Sequence, residues 1–559
     1  MKLPPRKRCW MTKKNSTCLV IIGALLLLWF GLLGHRDLID PDEGRYAEIP
    51  REMLASGDWV TPRLNDLKYF EKPPLQYWST AVAYKVLGVS NFTSRLWIAL
   101  FGFIGAVWAA YISKSLYGRE AGWYTFLISC SSFLYFGLSH YLTLDLTLSV
   151  CLMFGMGSLI LAQQERHSPE RAAFVRNWML VAWLALAAAV LTKGLVGLVL
   201  PAGSVLIYSL WQRDWQLWRH LHLFKGLMIL LLVSAPWFVM VSLRNPEFFS
   251  FFFIHEHFDR YTTNVNHHEA PFYYFALIFF AGALPWSYTI FQSLLRPLFD
   301  FRKRDTHFNA ERFLWVFIVF TVVFFSLSSS KLPGYILPAF PAAAILAANR
   351  LLRSSSLGGE VIFCGFFGAV LLLAVLALPR FATASIPYEL LSNYRPWISI
   401  AAASLLVGAA GAWYWRSQLS VAVPILALSA CISFQCLLSG FQSVAPARSS
   451  SIIANRILAL PLKPNTVIYM VDEYLPSLPF YLQRPVIMAV ARSELALGVT
   501  AEPQKWIETP EQFVQRWQQD ISAVAVIANE DFETYRQLNM SMDIVYEGAR
   551  DKIVVKNVR

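Results

Sequence analysis

The chain has 559 residues and a formal net charge of +12, yet it is 56% hydrophobic and 15% aromatic, with only 15% charged residues. That balance excludes an ordinary soluble enzyme and a disordered chain, and predicts an integral membrane protein rich in helices. The positive excess falls mostly in short loops between apolar runs, where the positive-inside rule accounts for it without a nucleic-acid partner.

The tail Met1–Asn15 carries Lys2, Arg6, Lys7, Arg8, Lys13 and Lys14 and is expected in the cytoplasm. The apolar run 17–34 is long and lacks a small-residue cleavage site, so it reads as an anchor and not a signal peptide. Further spans are expected near 93–112, 121–139, 145–164, 178–192, 195–211, 225–243, 271–291, 313–329, 335–349, 360–378, 397–414 and 420–441. About thirteen spans, an odd number, place the C-terminus outside. Residues 1–441 are therefore expected to form a polytopic helical membrane domain. Residues 442–559 turn polar, with strand-like runs at 466–470, 486–488, 523–527 and 552–555 and a helical pattern at 510–519. They predict a small outer α/β domain. The seven cysteines show no metal-type CxxC spacing and suggest no disulfide framework.

Between the first two spans, in an outer loop of about residues 35–92, lies the most polar stretch of the chain. It runs from Asp42-Glu43-Gly-Arg45-Tyr46-Ala-Glu48 to Tyr69-Phe-Glu71-Lys72-Pro73. Asp42 can cap a helix with Glu43 in its first turn and Gly57 as its stop. A second helix can start at Pro73-Pro74, with Leu75, Trp78 and Val82 on one side and Gly88 as its end. Both are expected to lie along the membrane surface.

Other unusual polar residues sort to the same side. They are Asp145 at the start of the fourth span, Lys193 in the turn after the fifth, His255-Glu256-His257 and Asp259-Arg260-Tyr261 in the loop 244–271, and Lys331-Leu-Pro-Gly-Tyr335. Charges beside a bilayer are costly unless they face water, one another or a polar ligand. If these residues meet, they suit group transfer from a lipid phosphate. Lys72, Arg260 and Lys331 are candidates to bind the leaving phosphodiester, and Asp42 and Asp145 could act as base, orient a reactant, stabilise oxocarbenium-like charge or hold a divalent metal. Each has a plainer reading: Asp145 as a helix cap, Lys193 as an interfacial lysine, Tyr335 as aromatic-belt packing. His255 and His257 lack the spacing of a helical zinc motif. A transporter would instead gather ionisable groups near the bilayer midplane.

These motifs resemble the GT-C glycosyltransferases of the protein mannosyltransferase type, and within them the bacterial aminoarabinose transferases of lipid A. The Asp42–Glu48 segment looks like the family's acidic first-loop motif, Tyr69–Pro73 is similar to its lysine motif, Asp145 takes the place of the second acid, and Lys331–Pro338 is similar to the lipid-phosphate motif. The resemblance implies a sugar donor on undecaprenyl phosphate and a lipid A phosphate as acceptor, joined at the periplasmic face of the inner membrane. Other sugars, or protein, glycan and lipid acceptors, stay open. It also implies that Asp42 and Asp145 are the essential acids, and that Lys72, Arg260 and Tyr335 hold the donor phosphate with Lys331 nearby. Glu43, Arg45, Tyr46, Tyr69 and Lys193 would line the pocket. Glu71 and His255 would contribute contacts to a divalent metal, if one is used.

Overall fold

The computed structural model describes residues 6–259, 270–299, 308–383, 386–491 and 493–557. The apolar runs become helices, the one structure that satisfies every backbone N–H and C=O within a single segment. Helix α1 spans Arg6–Phe30, α2 Asp42–Ser56, α3 Leu75–Leu87, α4 Asn91–Tyr117, α5 Arg119–Ser131 and α6 Phe133–Leu138. Then follow α7 (Asp145–Gln164), α8 (Ala172–Lys193) and α9 (Val196–Gln212). Later long helices are Leu223–Arg244, Ala310–Ser326, Ala339–Leu351, Gly359–Ala377, Tyr388–Tyr414 and Leu419–Gly440. Among the described residues seven helices are long and apolar enough to cross a membrane, and Ser16–Phe30, Val196–Gln212 and Ala339–Leu351 are shorter apolar helices. Of the seven, helix α7 is the most enclosed.

Three expected spans are broken, two of them at facing positions. The run 121–139 divides into α5 and α6 at Ser132, where ψ is 128°. The run 271–291 divides into Tyr274–Gly282 and Ser287–Phe299. The breaks face each other: Phe133 N–H donates to Leu284 O at 3.1 Å, and Trp286 Nε1 donates to Ser131 Oγ at 2.9 Å. Backbone that leaves the helix in an apolar region must find a partner, and here each break supplies the other's. The expected span 335–349 likewise splits into a 3₁₀ turn, Pro333–Ile336, and the helix Ala339–Leu351.

Helix α2 ends at Gly57 in the left-handed region (φ 73°), as expected. Its cap residue is Pro41, with no side-chain cap bond, so Asp42 stands inside the first turn and its carboxylate is not spent on capping. Helix α3 runs between the expected ends, but its buried face is Gln76, Tyr77, Thr80, Ala81 and Tyr84. Val82 and Val86 are 52% and 72% exposed. The side that carries Leu75, Trp78 and Val82 is only partly covered: Leu75 and Trp78 pack against buried neighbours while Val82 stays exposed, which costs little beside a bilayer.

Strands β1 (Arg63–Leu64) and β2 (Leu67–Lys68) form a hairpin after α2, turned by Asn65 and Asp66 at φ 56° and 60°. Beyond the last long helix lies a six-stranded sheet of order β5-β4-β3-β6-β8-β7. Its strands are β3 (Val467–Val471), β4 (Ile487–Ala489), β5 (Trp506–Ile507), β6 (Ala523–Ala528), β7 (Asp543–Glu547) and β8 (Lys552–Lys556). β3 pairs parallel with β4 and β6, whereas β8 runs antiparallel to β6 and β7. The helix Pro510–Gln519, capped by Thr509, buries Phe513, Val514 and Trp517.

This domain is seated on the segment that begins α2. The Asp40 carboxylate accepts from Ser477 N and Oγ at 2.8 Å each and from Ser450 Oγ at 3.2 Å, and it pairs with Arg550. A Cβ at Gly44 would collide with Asp40 and with the Ser477 backbone, so only glycine permits this approach. Asn65 exchanges two 2.8 Å hydrogen bonds with the Val486 backbone, and Arg51 donates to Gln483 O at 3.1 Å.

Candidate active site

The ends of α7, α8, α9 and Ala310–Ser326 that lie beneath α2 enclose a cavity of about 410 Å³. Asp42, Arg45 and Tyr46 enter from α2, Glu71 and Lys72 from the loop before α3, Thr143 and Asp145 from the start of α7, and Lys193 from the end of α8. Glu256 belongs to a π-helical segment, Ser250–Asp259. Tyr335, Ser328 and Ser330 close another side, and Leu195, Val196, Val199, Phe324, Phe325 and Leu332 form an apolar wall.

Every cation of the cavity faces carboxylates. Lys72 Nζ lies 2.8 Å from Glu256 Oε2 and 3.8 Å from Glu71 Oε2. Lys193 pairs with Asp145, and its ammonium stands 4.5 Å above the centre of the Tyr335 ring. That is a cation–π contact. Arg45 pairs with Glu494 and reaches Asp42 at 3.8 Å and Glu71 at 4.0 Å. Asp145 is not a helix cap, because α7 has no side-chain cap bond and this carboxylate goes to Lys193 instead. Its approach to the 3₁₀ turn depends on Gly334, where any Cβ would collide with the Asp145 carboxylate. Burial pushes the Asp42 carboxyl above its usual range, partly opposed by Arg45, and Asp145, Glu43 and Glu71 add to the rise.

Of the residues expected here, Asp42, Arg45, Tyr46, Glu71, Lys72, Asp145, Lys193 and Tyr335 line one cavity. Glu43 does not. Its carboxylate is fully buried and turned away, held by Arg36 and Arg95, because neighbouring helix positions point about 100° apart. Burial alone would raise its proton affinity, but the two guanidiniums hold its pKa at about 2. Tyr69 lies behind the cavity with its ring 5.9 Å from the Arg45 guanidinium. Lys331 turns back to donate to Ser328 O at 2.7 Å. His255 packs its ring at a tilt against Phe251, with centres 5.3 Å apart, and its neighbour Glu256 faces the cavity instead. Arg260 lies outside the described residues.

The described residues hold no group of three or more His, Cys, Asp or Glu side chains arranged to bind a metal ion, and Glu71 is faced by Lys72 and Arg45. Glu494, in the outer domain, is the participant that no sequence pattern marks. Burial, despite Arg45, pushes its pKa up to about 7, and Glu71, Asp42 and Asp40 add to the rise.

Comparison with known proteins gives this geometry a context. Residues 15–252 match the model of the dolichyl-phosphate-mannose-protein mannosyltransferases. Residues 454–557 match the aminoarabinose transferase C-terminal domain. The undecaprenyl phosphate-alpha-4-amino-4-deoxy-L-arabinose arabinosyl transferase of Shewanella sediminis is 31% identical over 427 residues, 74% of this chain and 73% of that protein. The chain belongs to this arabinosyl transferase family. Its namesake from Erwinia tasmaniensis is 32% identical over 403 residues, covering 68% of this chain and 70% of that protein. The crystal structure of ArnT from Cupriavidus metallidurans bound to undecaprenyl phosphate superposes with a TM-score of 0.90 at 37% identity, over 97% of this chain and 98% of that one. Like that relative, this arabinosyl transferase is a multi-pass membrane protein with a GT-C fold and a C-terminal α/β domain.

Proposed function

We propose that this cavity moves 4-amino-4-deoxy-L-arabinose from undecaprenyl phosphate to a phosphate group of lipid A. The observation that carries the reading is the joining of two acids, Asp42 and Asp145, with three cations and an apolar wall in one cavity. Named relatives of the same family use this donor, and the Cupriavidus structure holds its lipid carrier.

The donor's phosphodiester lies against Lys72, with Tyr335 as a further contact, and its chain follows Val196, Val199 and Phe324. Charge-assisted hydrogen bonds are the strong ones, and they gain most when the leaving oxygen takes on negative charge. An oxygen of the acceptor phosphate attacks the anomeric carbon. The new C–O bond forms as the old one breaks, and undecaprenyl phosphate departs with the electron pair. The acceptor phosphate is already ionised near neutral pH, so no strong base is needed. Asp42 and Asp145 instead orient the reactants and stabilise oxocarbenium-like charge on the sugar. Lys193 holds Asp145 in place.

The cavity and the α/β domain lie on the periplasmic side of the inner membrane, with the N-terminal tail in the cytoplasm. The basic residues of that tail support this orientation. Protease added to the periplasmic side should cleave the α/β domain, and cleavage only from the cytoplasmic side overturns the topology.

The decisive experiment is mass spectrometry of lipid A from a host that makes the lipid-linked sugar but lacks its own transferase. The expected result is an aminoarabinose mass increment with the parent chain and none with a well-inserted Asp42→Asn form. An increment with both forms overturns the role of Asp42, and none with an inserted parent overturns the substrate reading.

A further inference from the structure

Glu43 faces away from the cavity, yet it touches both segments that deliver the cavity acids. Its carboxylate accepts from Arg36 at 2.5 and 3.0 Å and from Arg95 at 2.7 and 2.9 Å. It also accepts from the backbone N–H of Ile39 at 3.0 Å and of Leu142 at 3.1 Å. The arginines extend the clamp. Arg95 donates to the carbonyls of Leu33, Arg36 and Asp37 at 3.2, 2.6 and 2.9 Å, and Arg36 donates to His140 O at 3.2 Å.

One carboxylate therefore joins the segment leaving α1, the first turn of α2, helix α4 and the loop that runs into Asp145. Asp42 is its chain neighbour, and Asp145 lies three residues after Leu142 along that loop. The two acids are close enough that Asp145 contributes to the raised proton affinity of Asp42. Lys72 is outside the clamp, since it pairs with Glu71 and Glu256. The Glu43 clamp is thus separate from Lys72, the cation placed against the donor phosphate.

We propose that Glu43 is a positioning residue that fixes Asp42 relative to Asp145 through its shared hold on α2 and the 140–142 loop, and so controls the transfer step without controlling donor affinity. Removing one partner of a buried charge cluster is costly, so the site resists drift. An error of about 1 Å in placing reacting groups can cost about a hundredfold in rate. This inference rests on the reading of Asp42 and Asp145 as the acids of transfer.

Glu43→Asp keeps the charge and draws the clamped segments together by one methylene. In detergent, the full-length variant is expected to lose about tenfold or more in kcat. Its affinity for undecaprenyl phosphate should stay within about twofold of the parent, with little change in Tm. Parent-like kcat overturns the proposal. So does a joint fall of kcat, lipid affinity and Tm, which marks a purely structural role. If Glu43→Asp does not insert, Arg36→Lys carries the same test, because it keeps the charge and loses the second N–H to Glu43. Asp42→Asn is assayed alongside: full turnover there sinks the reading of the acids, whereas an inactive Asp42→Asn beside a parent-like Glu43→Asp sinks only the clamp.

Discussion

Two neighbouring residues, Asp42 and Glu43, open onto two differently built charge clusters. Asp42 itself has only a loose pair, with Arg45 at 3.8 Å, although that guanidinium pairs closely with Glu494. Around Glu43 every oxygen is taken by short hydrogen bonds in a site without solvent. A loose pair can exchange its partner for a substrate phosphate at little cost. A saturated buried one cannot, because an unpaired buried charge is penalised heavily. Binding chemistry therefore belongs to the first cluster and geometry to the second.

The sharpest way to break this contrast is to truncate the buried side. Glu43→Ala leaves Arg36 and Arg95 buried without their carboxylate and should cost about 3–5 kcal/mol, enough to lower detergent-solubilised yield and Tm sharply. Lys72→Ala should do the reverse: near-parent Tm, with undecaprenyl phosphate binding weakened by about 10- to 100-fold through loss of a charge-assisted hydrogen bond. Equal effects of the two variants on stability would erase the distinction.

A smaller effect concerns Glu494. Its folded pKa, about 7, lies above its ordinary value of 4.5, so the folded state binds the proton more tightly. Its contribution to stability is fully present below pH 4.5 and is lost as pH rises through 7. Glu494→Gln should flatten Tm against pH across that window, and an unchanged slope would assign the dependence to another group. Least consequential should be Glu502→Gln, which removes the part-exposed pairs to Arg63 at 2.9 Å and Lys505 at 3.2 Å. About 1 kcal/mol or less is expected in chemical denaturation.

Much of the fold follows from local pattern. The stop at Gly57 and the helix Pro510–Gln519 are set by residues in the immediate sequence. The breaks at Ser132 and between Gly282 and Ser287 are not, because the groups that satisfy them come from each other, far along the chain. β7 was hidden for another reason: it is an edge strand with mostly exposed residues and no inward alternation to reveal it. In the site, residue types marked the acids and the lysine, but helix phase separated Asp42 from Glu43, and only three-dimensional folding brings Glu494 to Arg45. Glu256 lay within the His-Glu-His stretch, where no spacing distinguishes the residue that faces inward.

The seat of the outer domain carries a lesson for protein engineering. Asp40, Gly44 and Ser477 fit so closely that neither surface tolerates a foreign counterpart. The two halves are thus not interchangeable modules. A chimera that grafts a relative's C-terminal domain onto this membrane half should work only if the turn leading into α2 travels with it.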